Sequence, residues 1–150
     1  MKTIRNESDR AGLIERINGL TGSETPAWGK MNVNQMVSHL VQAGEMPFLA
    51  SVPDRSSFVS RNILKPLILH VMPVPKEVKT WPEMNQLEKG RKPQDFESDK
   101  AALVAAINKL GTLPLDHKCL AHPFFGDMNA KQWAILAQKH INHHLTQFGA

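Results

Sequence analysis

Twice in this chain an asparagine is followed three positions later by a glutamine at the head of an apolar run: Asn32 with Gln35, and Asn129 with Gln132. An asparagine side chain accepts free N–H groups of a helix's first turn, and a glutamine at the third helical position reaches back to the asparagine's own N–H. Each pair therefore predicts a helix start. Helical apolar spacing follows both, ending or bending at Pro47 in the first case and continuing to about Phe148 in the second. An earlier stretch, Glu7 to Leu20, carries Leu13, Ile14, Ile17 and Leu20 at the same spacing before "TGSETPAWG" stops it. "ESDKAALVAAINKLG" predicts a further helix, capped by Ser98, filled with alanines and closed by Gly111. Ser56 to Val71 is apolar but contains Pro66, so a kink or two short helices are expected.

What joins these segments is equally constraining. "MPVPKEVKTWPEMNQLEKGRKPQDF" holds four prolines and no helical period, which predicts a long crossover that packs on the surface or covers something. Strand signals are weak: there is no tyrosine, no clean alternation and no hairpin dipeptide between apolar runs. The expected fold is all-α, a four-helix bundle formed as a single domain over residues 1–150.

Composition narrows the function classes. No apolar run approaches the roughly 20 residues of a membrane span, and "MKTIRNESDRAGLIERI" carries charges where a secretory signal needs an apolar stretch. A cytoplasmic protein is expected, and the single cysteine, Cys119, fits a reducing compartment and excludes an internal disulfide. The net charge of +4 is mild and its carriers are dispersed; Lys89, Arg91 and Lys92 form the densest basic spot, read as a solvated loop. No basic face with stacking aromatics is visible, so no nucleic acid partner is expected.

The histidines carry the chemistry. At 100 degrees per residue, Trp133, His140 and His144 fall within about 20 degrees of one another on the last helix, with Leu136, Ala137, Gln147 and Phe148 beside them and Lys131, Gln138 and Lys139 pointing away. On the second helix His39 shares the inward line of Asn32 and Met46, with Met36 and Ala43 next to it. A single core histidine needs no function, because a neutral ring can be satisfied by one donor and one acceptor. Two of them one turn apart are harder to accommodate, since protonating both places like charges together in a dry core. A divalent cation removes that difficulty: His140 and His144 reach it from one helix, His39 from across the bundle, and a fourth position stays open. His143 lies at the stripe's edge. Trp28, Met36, His143 and Trp133 are the candidate substrate-binding residues around the metal.

"WGKMNVNQMVSHLVQAGEM" and "HPFFGDMNAKQWAILAQKHINHHLTQFG" resemble the DinB-like superfamily of small metal-binding four-helix bundles, and in particular an uncharacterised branch of it. The resemblance implies an up-down-down-up bundle with a long crossover, frequent homodimers, and zinc or nickel held by His39, His140 and His144. It also implies chemistry on a small-molecule substrate, with a low-molecular-weight thiol as co-substrate in S-transferases and an isomerase of the superfamily.

Other clusters read more simply. Asp116, His117, Cys119 and His122 gather in "LDHKCLAHPFFG", a Pro-bearing loop expected near the opposite end of the bundle from His140 and outside the main site. His70 reads as an exposed helix end, and Glu45, about 120 degrees from His39, is a poor general base for the site. The competing functional class is a non-catalytic bundle whose histidines are core polar groups and whose surface binds a protein partner.

Overall fold

The computed structural model describes residues 1–50, 52–76 and 78–150. It is all-helical: α1 is Glu7–Asn18, α2 Val33–Glu45, α3 Lys65–His70, α4 Phe96–Gly111 and α5 Ala130–Gln147. Among the described residues there is no strand, only an isolated bridge between His122 and Gly126. Among the described residues no helix is long and apolar enough to cross a membrane.

Both Asn-x-x-Gln signatures close as capping boxes. The Gln35 N–H donates to Asn32 Oδ1 and the Asn32 N–H to Gln35 Oε1, each at 2.9 Å; Asn129 and Gln132 repeat the exchange at 3.0 and 3.1 Å. Helix α4 departs from expectation at its start. Its cap is Asp95, whose carboxylate accepts both the N–H and the hydroxyl of Ser98, so Ser98 sits inside the first turn. Ahead of α3, Ser60–Leu64 forms a π-helical turn that runs into Pro66. Proline lacks the N–H that a regular turn would use, and the wider turn carries the chain across that gap.

The core forms where α1, α2, α4 and α5 meet, with Ile17, Met36, Leu40, Leu103, Leu110 and Leu145 almost fully buried. Helices α2 and α4 approach closely because Gly44 faces Ala106; a β-carbon on Gly44 would lie 3.1 Å from that of Ala106. Lys100 is buried yet satisfied, donating to the carbonyls of Asn18 and Leu20 at the C-terminal end of α1, where a cation is favoured. Helix α5 packs against α1, α2, α3 and α4, so its buried arc is wider than the wheel predicts. The arc runs through Ala134, Gln138, Ile141 and Leu145, which makes Gln138 an inward residue and leaves His140 and His144 on one flank of the stripe rather than at its middle.

That flank faces the crossover, residues 71–95, whose only regular element among the described residues is a 3-10 turn at Pro82–Met84. The crossover does cover something, and within its basic spot Lys89 and Lys92 are exposed as expected while Arg91 is half-buried and tied to α2 and α4. Arg91 donates to Ser38 Oγ and pairs with the buried carboxylate of Asp99 at 2.8 Å, while Lys92 donates to the carbonyls of Gln86 and Glu88. Removing one partner of such a pair leaves the other uncompensated. Asp99→Ala is expected to destabilise the protein by about 3 kcal/mol, the low end for a broken buried pair because Arg91 keeps some contact with water. Urea unfolding checks this as a lowered midpoint at unchanged slope.

Candidate metal centre

One ring nitrogen from each of His39, His140 and His144 can be chosen so that the three lie within 4.8 Å of one another. Nε2 of His140 is 3.2 Å from Nε2 of His39 and 3.1 Å from Nε2 of His144. Where the protons sit follows from the groups behind the rings. His39 Nδ1 faces two oxygens, the Met84 carbonyl at 3.1 Å and Gln86 Oε1 at 3.0 Å. The Gln86 amide is held in that orientation because its Nε2 donates to Gln42 Oε1, which also accepts the Arg91 N–H and so must be oxygen. His144 Nδ1 faces Gln147 Oε1 at 2.8 Å, and Gln147 is oriented in turn because its Nε2 donates to the Trp28 carbonyl. Both rings therefore carry their proton on Nδ1 and turn a bare Nε2 inward.

Two lone pairs thus converge on His140 Nε2, and one proton there satisfies only one of them. A cation satisfies all three. For tetrahedral zinc with bonds of about 2.0–2.1 Å to imidazole, the nitrogens stand about 3.3 Å apart, close to the two separations observed. Glutamine or carbonyl acceptors behind the far nitrogen are the usual means of aiming a histidine ligand. The residues present fit a divalent metal.

Burial keeps the cluster uncharged. It lowers the pKa of His39, against the opposing pull of the Met84 carbonyl and Gln86; it holds His140 well below the ordinary value, with His144 and His39 adding to the effect; and it brings His144 to about 3. His143 is half-buried, packed edge-on against Trp28 and His144, and lowered first by burial and then by Lys76, which itself sits over the Trp28 ring.

The cluster opens into a cavity of about 1090 Å³. Of the four residues named as candidates around the metal, Trp28, His143 and Trp133 line it. Met36 does not: it is fully buried in the core, nearly one turn before His39, and is absent from the lining. His122 does line it, packed between Phe125 and Trp133, and burial lowers its pKa to about 4. His122 packs on Trp133, seven residues before His140 on α5, and is outside the three-histidine cluster, but its loop is not remote from the site, contrary to expectation. The cavity extends that far. Asp116, His117 and His70 are exposed, Glu45 is exposed and lines a separate small pocket, and Cys119 is half-buried with burial pushing its thiol pKa up, away from an activated thiolate.

The orienting glutamines were not singled out from sequence. Gln147 carried a signal, standing three residues after His144 on the same helical face; Gln86 carried none, being in an aperiodic loop.

An all-helical protein in which three buried or half-buried histidines converge so that they can hold a metal ion is the class that the structure defines. The chain belongs to the family described as "Protein of unknown function (DUF1569)", whose model matches residues 7–150. No curated protein and no solved structure matches it.

The lowered histidines set the acid response of the metal-free protein. An unfolded histidine titrates near 6.5, above the folded values, so the unfolded chain takes up protons first as pH falls. Their contribution to stability is complete above about pH 6.5 and is lost as pH falls towards about 3 for His144. Urea midpoints measured between pH 7.5 and pH 4 should fall steadily on the acid side of about 6.5.

Proposed function

We propose that this protein is a DinB-like four-helix bundle, α1, α2, α4 and α5 in up-down-down-up order, that binds a divalent metal through His39, His140 and His144. The observation that carries the reading is the pair of inward lone pairs: Met84 and Gln86 commit His39, and Gln147 commits His144, to presenting unprotonated Nε2. Three neutral nitrogens suit zinc or nickel and leave a position for an exchangeable ligand. The cavity beside it supports action on a small molecule, with a low-molecular-weight thiol as the co-substrate that the DinB-like resemblance suggests. A divalent cation there would favour the deprotonated form of a thiol or water. The protein's own part is to aim the nitrogens, hold them neutral, and wall the site with Trp28, His143 and Trp133.

Gly29 belongs to the same arrangement. Its φ is +82°, and a β-carbon there would come within 2.6 Å of Gln147 Nε2, so the glycine leaves room for the bond that orients the His144 acceptor.

Equilibrium dialysis of untagged protein against zinc or nickel, followed by elemental analysis, should find one ion per chain, and His39→Ala, His140→Ala or His144→Ala should abolish it. Gln147→Leu keeps the three nitrogens but loses the acceptor behind His144, so affinity should fall about 10- to 100-fold with stoichiometry unchanged at saturation. Chelator should lower the melting temperature of the loaded wild-type protein and leave the histidine variants unmoved, which separates a metal protein from a bundle with ordinary core histidines. Wild-type protein that takes up none of zinc, nickel or manganese overturns the reading.

A further inference from the structure

His122 has a property that its loop does not need. Residues 122 to 126 form a pinched turn in which the His122 N–H donates to the Gly126 carbonyl and the Gly126 N–H returns to the His122 carbonyl, both at 2.8 Å. Inside that turn His122 Nδ1 accepts the N–H groups of Phe124 and Phe125, at 3.0 and 3.2 Å. An imidazole nitrogen that accepts has no hydrogen, so the neutral ring carries its proton on Nε2. That N–H has no protein acceptor among the described residues, and the ring lines the cavity against Trp133. Trp133 and His140 are seven residues apart on one face of α5, about 10 Å at 1.5 Å per residue. A fixed hydrogen-bond donor and the three-histidine cluster thus line one cavity about two helical turns apart, with Leu136 and Ala137 of α5 between them and Trp28, Trp81 and Phe124 also in the wall.

We propose that the cavity takes an elongated molecule with an apolar, aromatic-compatible body and polar groups at both ends, and that His122 holds the far end by donating Nε2–H to an anionic or carbonyl oxygen. The near end faces His39, His140 and His144, an assignment that rests on the metal reading above; the far end does not depend on it. Such a donor discriminates by leaving itself unpaired when the ligand lacks an acceptor. His122 is in this sense a specificity-determining residue.

All three tryptophans line the cavity, so their fluorescence reports occupancy directly. The probes are 2-naphthoate, with one carboxylate, and naphthalene-2,6-dicarboxylate, with a carboxylate at each end of the same body. Zinc-loaded protein should bind the dicarboxylate at least about tenfold more tightly, the worth of a hydrogen bond to a charged group. The discriminating variant is His122→Asn, whose side-chain oxygen can still accept the loop N–H groups in the manner of an Asx turn but is too short to reach into the cavity. It should still melt cooperatively and still bind zinc, and lose the preference for the dicarboxylate over 2-naphthoate. Equal affinities in the wild type, no binding of either probe, or a preference that survives in the variant each overturn the assignment. A His122-dependent preference that is the same with and without zinc supports the far-end contact while removing the metal from the near end, so the two readings fail separately.

Discussion

The side chain of Gln42 holds together the parts that make the cluster possible. It projects from α2 one turn beyond His39, accepts the Arg91 N–H and the Gln86 amide, and donates to the Glu83 carbonyl. Three points of an otherwise irregular crossover are thereby tied to one helix. Because all of its polar atoms are engaged away from water, the arrangement is strongly directional; a buried amide with a missing partner costs far more than a satisfied one contributes. The crossover cannot shift along α2 without breaking these bonds, and Gln86 cannot turn without losing its acceptor.

This explains the length and composition of the crossover. A short connection between α3 and α4 would not lie across the histidine flank. Its prolines supply extended backbone without unsatisfied N–H groups, and the Arg91 pair with Asp99 anchors its far end to the start of α4. The polar contacts behind His39 come from this one segment, with the Met84 carbonyl and Gln86 two residues apart in it. Helix packing puts His39 across from His140 and His144; the crossover decides which nitrogen of His39 faces them.

The helices and the inward histidines were legible because they rest on local rules. The Asn-x-x-Gln pairs are short-range reciprocal bonds, and His140 and His144 share a face whatever surrounds α5. The centre of the buried arc was not legible, since it depends on how many neighbours a helix has. Packing from four sides draws Gln138 inward and pushes the histidines to the flank, where they meet a cavity instead of the core. Ser98 misled for a related reason: two polar residues, Asp95 and Ser98, were spaced to cap one another's turn, and only the backbone path shows which lies outside the helix. The role of His122 escaped because sequence separation along α5 measures distance but not the extent of an open volume.

The segment between α1 and α2 is stitched to the last residue of α5 twice over. The Ala27 N–H donates to the Gln147 carbonyl, and the Gln147 side chain donates to the Trp28 carbonyl. Trp28 is a wall of the cavity and Gln147 is the acceptor behind His144. The position of that wall and the orientation of the acceptor behind His144 are consequently set by the same hydrogen bonds, so one residue, Gln147, ties the rim of the cavity to the ring at its floor.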